Sequence, residues 1–253
     1  MKLPQQILQH KTALVTGGAR RVGAAICRRL HAAGANVVIH YRASATDARA
    51  LARALNAVRA GSAACVKADL LHEKTPRTLV AACLAEFGRL DVLVNNASSF
   101  YATPVGKMNE RAWNDLIGTN LKAPLFIAQA AAAELKKRRG CIVNIVDIHA
   151  ELPLKDYAMY TIAKGGLAAL TRSLARELAP AVRVNGVSPG PILWPDADIW
   201  KSPAMRRNIV ERTLLQRVGE PDDIARTVEF LIAGAPYVTG QIIAVDGGRS
   251  IAL

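Results

Sequence analysis

Tyr160 and Lys164 stand four residues apart, a spacing that puts both side chains on one face of a helix. A lysine charge beside a phenol favours tyrosinate and lowers the phenol pKa from about 10 toward the range where it can exchange protons. Tyr160 is therefore predicted to act as an acid. Thirteen residues before it, in VDIHAELPLKDYAMYTIAK, comes Asp147. A carboxyl group at the end of a buried strand, close to a phenol, could hold or relay a proton. Tyr-x-x-x-Lys alone can occur in any helix, and Asp147 has a plainer reading as an N-cap or a loop ion pair.

A second candidate site lies near the N-terminus. TGGARRVG, Thr16 to Gly23, follows a short β-branched run and precedes a helical stretch. Such a turn brings backbone N–H groups and the positive end of a helix dipole to an anion, here a dinucleotide pyrophosphate, with Gly17, Arg20, Arg21, Val22 and Gly23 around it. A purely structural turn is the alternative. After the next strand, a protein selecting the dinucleotide without a 2′-phosphate would place a carboxylate. VIHYRAS instead offers His40, Arg42 and Ser44. Arginine and a hydroxyl complement a 2′-phosphate and no acid repels it, so the expected cofactor is NADPH.

The elements that must position these residues read as one α/β domain. Seven runs, TALVT, ANVVIHY, SAACVKADL, LDVLVNNA, GCIVNIVDI, VRVNGVSP and QIIAVDGG, have strand character. About six stretches between them carry apolar residues at helical spacing. This is the pattern of a Rossmann-like doubly wound parallel sheet with helices on both faces. The segment at about 189–212, with its prolines and tryptophans, lacks clear periodicity and reads as a substrate lid.

Composition narrows the function. The 253 residues are 51% hydrophobic, enough for one large core. No apolar run has the length of a signal peptide or a membrane span, so a cytoplasmic protein without membrane association is expected. The formal net charge is +13, yet basic residues are spread along the chain and aromatics make up only 5%. That is a weak footprint for nucleic acid, and an anionic small molecule drawn in by a positive field fits better. The densest basic run, Lys136 to Arg139, precedes Gly140 and suits a helix C-terminus. Cys27, Cys65, Cys83 and Cys141 are far apart with no ligand spacing, so buried thiols and no metal site are expected.

TGGARRVG, NNAS, Asn120, YTIAK and SPG, in this order, resemble the short-chain dehydrogenase/reductase family over essentially the whole chain. Arg21 departs from the family's usual glycine, and together with HYRAS and NNASSF it resembles the pteridine reductase branch. The resemblance implies that Asp69 and Leu70 flank the adenine, that Asn96, Ala97 and Ser98 line the ribose and nicotinamide side, and that Pro189 and Gly190 meet the nicotinamide amide. It implies that Asn120 supports Lys164 and a water chain. It also implies a homotetramer with the C-terminal DGGRSIAL near a subunit interface.

Arg21 would supply a planar charged fork able to bridge a phosphate and a bound heterocycle. Most family members carry serine where Asp147 stands, bonding the carbonyl being reduced. A carboxylate suits a carbonyl oxygen badly, whereas reduction of a ring C=N needs a proton beside nitrogen. Asp147 and Tyr160 are then a donor pair for a pterin, with Phe100 against the flat ring and Ser98, Tyr157 and Arg21 nearby. The expected activity is NADPH-dependent reduction of biopterin-like substrates, with folates as a further expectation. The rivals are a carbonyl reductase of the same family, acting on a 3-oxoacyl group or another ketone, and a non-catalytic dinucleotide-binding protein.

Overall fold

In the computed structural model, which describes residues 7–194 and 202–252, the β-branched runs form seven strands. They are β1 (Thr12–Val15), β2 (Asn36–Tyr41), β3 (Ala63–Lys67), β4 (Val92–Asn95), β5 (Cys141–Ile145), β6 (Arg183–Pro189) and β7 (Ile242–Val245). All pair in parallel in one sheet of order β3-β2-β1-β4-β5-β6-β7. Eight α-helices occur among the described residues: α1 (Arg21–Ala32), α2 (Ala45–Val58), α3 (Thr75–Phe87), α4 (Glu110–Ile117), α5 (Ala123–Arg138), α6 (Ala158–Leu178), α7 (Pro203–Glu211) and α8 (Pro221–Glu229).

The sheet is apolar on both faces, as parallel strands covered by crossover helices must be. Alternate residues feed two cores. Ala13, Val15, Val37, Ile39 and Val94 join Ile26 and Leu30 of α1 and Ile224 and Val228 of α8. Leu14, Val38, Leu93 and Ile142 join Leu79 of α3, Ile127 and Leu135 of α5 and Leu178 of α6. Leu14, Leu93 and Ile142 are fully buried, each stabilising the fold by roughly 2 kcal/mol relative to exposure. β1 pairs with β2 on one side and β4 on the other. The chain order reverses there, which opens a crevice at the carboxyl ends of the strands.

The helices differ from the sequence reading at three places. The helical stretch from Ala112 to Gly140 is interrupted by a π-helical turn, Gly118–Lys122, where the Ala123 N–H bonds the Gly118 carbonyl five residues back. The same happens after α8, at Phe230–Gly234. In addition, α7 lies within the segment read as irregular, whose residues 195–201, with Trp200, lie outside the described residues. Lys136, Lys137 and Arg138 do occupy the last turn of α5, and Arg139 closes it in the left-handed conformation. Cys27, Cys83 and Cys141 are buried as expected, but Cys65 is exposed. No helix of the described residues is long and apolar enough to cross a membrane.

Candidate active site

The turn after β1 is tight and cross-linked. Gly17 has φ +61°, and a Cβ on Gly23 would lie 2.2 Å from the Gly17 carbonyl oxygen, so only glycine fits there. Asn96, just past β4, donates its side-chain amide to the carbonyls of Thr16 (2.9 Å) and Gly17 (3.1 Å). Thr16 answers by accepting the backbone N–H of Asn96 (2.9 Å) and Ala97 (3.1 Å) on its hydroxyl. The helix that follows has no acidic residue in its first turn, so its positive dipole end is left for an anion.

His40 lines the crevice and has a structural task besides the expected contact with a 2′-phosphate. Its ring is buried, accepting the Gly17 N–H on Nδ1 (3.1 Å) and pairing Nε2 with the Ala68 carbonyl (3.1 Å). Both bonds together require the neutral ring with the proton on Nε2. Burial lowers its pKa accordingly. His40 thus fastens the glycine turn to the end of β2. Arg42, two residues on, is exposed and lines the crevice. Ser44 sits at the N-cap of α2, outside the lining residues. Arg20 also lines the crevice, 3.8 Å from Asp47.

Arg21 adopts φ +52°, the left-handed region that glycine enters freely and other residues at a cost of roughly 1–2 kcal/mol. Its guanidinium donates to the carbonyls of Leu193 (3.4 Å) and Trp194 (3.2 Å), tying the turn after β1 to the segment after β6. Trp194 in turn lies beneath Arg206 of α7, 5.0 Å from its ring centroid.

β5 carries the acid and α6 the phenol and the amine. The Tyr160 hydroxyl donates to Asp147 Oδ2 at 2.7 Å, and Asp147 Oδ1 accepts the His149 N–H at 2.8 Å. The capping reading and the proton-holding reading of Asp147 are therefore both present, one oxygen for each. Lys164 is buried, and its ammonium donates to the Ile145 carbonyl (2.9 Å), 5.7 Å from the Tyr160 ring centroid. The expected lowering of the phenol pKa by Lys164 is not found. Burial first, then the Asp147 charge and hydrogen bond, push Tyr160 well above 10, with Ser98 opposing weakly. Burial lowers Lys164 to about 8, against the pull of Asp147. Tyr160 is thus a loaded acid whose proton faces a carboxylate.

Asn120 lies in the π turn. Its amide donates to the carbonyls of Leu116 (2.9 Å), left open by the change of helical repeat, and Ser99 (2.9 Å), while its oxygen accepts from Ser98 (2.6 Å). It holds the loop after β4 and, among the described residues, makes no bond to Lys164. Phe100 stacks on Tyr157 at 4.6 Å and meets Tyr160 edge-on at 4.8 Å. Phe100 lines the cavity; Tyr157 stands behind it and does not.

The crevice is a cavity of about 790 Å³, the size of a small-molecule site. Gly17, Val22, Gly23, Asp69, Leu70, Asn96, Ala97, Ser98, Pro189 and Gly190 all line it, with Asp147, Tyr160 and Lys164. A Cβ on Gly190 would lie 2.6 Å from Asp246, so the end of β6 is pressed against the end of β7. Met205 and Ile209, from the segment read as a lid, also line it, as do His149 and, from the C-terminal DGGRSIAL, Arg249, whose place here only tertiary folding decides. A glycine cradle at a free helix terminus, with Arg20, Arg21 and Arg42 beside it, fits a dinucleotide.

The doubly wound sheet and this crevice define a dinucleotide-dependent oxidoreductase. A family model described as enoyl-(acyl carrier protein) reductase matches residues 17–250. Pteridine reductase 1 of Leishmania tarentolae is 42% identical, over 94% of this chain and 96% of that protein. An uncharacterised oxidoreductase of Methylorubrum extorquens is 38% identical over 95% and 98%. A 3-oxoacyl-[acyl-carrier-protein] reductase of Staphylococcus epidermidis is 36% identical over 94% and 98%. The chain belongs to the short-chain dehydrogenase/reductase family, whose members are oxidoreductases working with a nicotinamide dinucleotide.

Proposed function

We propose that this oxidoreductase reduces pterins of the biopterin and dihydrobiopterin type, with folates as further substrates, using NADPH. The observation that carries the reading is the 2.7 Å hydrogen bond from Tyr160 to Asp147 at the end of β5. A ketone asks for a neutral donor at that position, whereas a carboxylate that keeps a phenolic proton in place suits delivery to a ring nitrogen. The similarity to a pteridine reductase and Arg21 in the glycine turn support it. NADPH is supported by Arg42 at the end of β2, where no carboxylate stands.

The bound dinucleotide supplies the hydride. Arg20, Arg21 and the turn after β1 bind its pyrophosphate, and Asp69 and Leu70 flank the adenine. Tyr160 holds the proton to be delivered, and Asp147 fixes the direction of its O–H bond. Lys164, charged below pH about 8, orients the nearby ribose. Phe100, braced by Tyr157, gives a flat ring an aromatic face. The segment 189–212 closes the substrate side as a lid. The same reading includes a homotetramer and a cytoplasmic location.

A second reading, 3-oxoacyl reduction, is favoured by the 36% identity to reductases of that name. NADPH oxidation followed with dihydrobiopterin and, in parallel, a 3-oxoacyl thioester separates the two. Turnover of the pterin is expected. Asp147→Ser should then lower pterin reduction by about tenfold or more relative to any carbonyl reduction. Equal losses on both substrates would remove the argument for the carboxylate.

A further inference from the structure

Among the described residues that line the cavity, one cation is left unused by the dinucleotide. Arg20 and Arg21 belong to the turn after β1, Arg42 follows β2, and Lys164 stands beside Tyr160. Arg249 lines the same cavity from a short 3-10 turn, Arg249–Ile251, after β7. β7 lies four places from β1 and five from β2 in the sheet, which is roughly 19 and 24 Å at about 4.8 Å per strand. An arginine side chain cannot reach the adenosine or pyrophosphate positions from there. β5, which ends in the Asp147 segment, is only two places away, roughly 10 Å. Arg249 therefore serves the substrate end of a cavity that Met205 and Ile209 of α7 also line.

Among the described residues nothing acidic neutralises it. Among the described residues no carboxylate lies within 4.0 Å of its guanidinium. Asp246, three residues earlier, turns its two oxygens to the N–H groups of Gly248 (2.9 Å) and Ser250 (2.7 Å). Among the described residues, the carboxylates that line the cavity are Asp69, on the adenine side, and Asp147, which is engaged by Tyr160. The charge acting on Arg249 is another cation, Arg212 at the end of α7, and burial together with that repulsion lowers its pKa. A half-buried cation facing a like charge is under-solvated, and an anion in contact with it removes that cost.

We infer that Arg249 forms a subsite for an anionic substituent, a carboxylate or a phosphate, on the end of the substrate remote from the ring that is reduced. The inference takes the identity of the ring from the pterin reading and the charge of the substituent from Arg249 itself. It makes this chain a reductase of tailed, negatively charged pterins before neutral ones.

The test measures kcat/KM with dihydrobiopterin (neutral side chain), dihydrofolate (carboxylates) and dihydroneopterin monophosphate, for the wild type, Arg249→Gln and Arg249→Lys. In Arg249→Gln the ratio of the anionic to the neutral substrate should fall by about tenfold to a hundredfold, chiefly through KM, as expected for losing a charge-assisted bond. Arg249→Lys should restore part of it. A fall with only one anionic substrate assigns the subsite to that group. A ratio unchanged in Arg249→Gln, with both variants melting as the wild type does, overturns the inference. If Arg249→Gln does not fold, the ratio in Arg249→Met, which also removes the charge, decides in the same way. If no pterin is reduced, the pterin reading has failed. The same ratio is then taken between acetoacetyl-coenzyme A and the neutral N-acetylcysteamine thioester. A fall keeps the subsite, and no change removes it.

Discussion

Arg21 shows most directly how one residue trades fold against site. Its left-handed backbone is disfavoured by roughly 1–2 kcal/mol, but glycine there would lose about 0.5–1 kcal/mol in chain entropy. Arg21→Gly should therefore shift stability by no more than about 1 kcal/mol while raising the KM for NADPH about tenfold or more through loss of a charged fork. Chemical denaturation and a KM titration check both halves; a large stability loss with unchanged KM would make the arginine structural. Tyr160→Phe removes only the hydroxyl, whose partners are Asp147 and Ser98. Turnover should drop by about 10²–10⁴ with NADPH binding, followed by fluorescence, largely kept. Loss of binding would assign Tyr160 to the scaffold. The Tyr160, Asp147 and Lys164 set was legible because its spacing is local. The sign of the phenol shift was not, because it depends on burial and on which neighbour, Asp147 or Lys164, lies nearer the hydroxyl.

At the scale of elements, His40 joins β2 to the turn after β1 through a bond between residues 23 apart. Burial holds its folded pKa below the ordinary 6.5, so between those values the unfolded chain binds the proton and the folded one does not. Its stabilising contribution is fully present above pH about 6.5 and is lost as pH falls toward the folded pKa. Protonated Nδ1 cannot accept the Gly17 N–H, so dinucleotide affinity should fall over the same range. Comparing wild type with His40→Asn by denaturation and NADPH titration across that range checks this; parallel pH profiles would leave His40 no such part. The strands were legible because both their faces are buried and they read as apolar runs. The π turn at Gly118–Lys122 was not, since one added residue per turn barely disturbs an apolar pattern. α7 escaped because none of its residues is buried, so no apolar stripe marks it.

The whole molecule carries a formal charge of +13, and the crevice concentrates part of it, with Arg20, Arg21, Arg42, Lys164 and Arg249 against Asp69 and Asp147. Such a field speeds the approach of a polyanion and is screened beyond about 8–10 Å at ordinary ionic strength. The association rate of NADPH, read by stopped-flow fluorescence, should fall steeply as salt is raised, whereas that of a neutral pterin should change little. Similar slopes for the two would mean that the field does not focus on the crevice. This balance of charges was not legible in the sequence, where the basic residues look evenly scattered; folding gathers the ends of strands as distant as β2 and β7 onto one rim.

The bonds from Arg21 to Leu193 and Trp194 run from the β1 end to the β6 end, above β4 and β5. Arg21, Leu193 and Trp194 all line the crevice, so these bonds link its two sides like a bar across a doorway. The mouth is thereby divided into a nucleotide-side opening and a substrate-side opening. A short molecule can pass through its own opening while the bar stays in place. A long one lying beneath it leaves only lengthwise, or after the bar has lifted. Exchange of the two reactants should then be decoupled, with the contacts of Arg21 among those that set the residence time of the longer one.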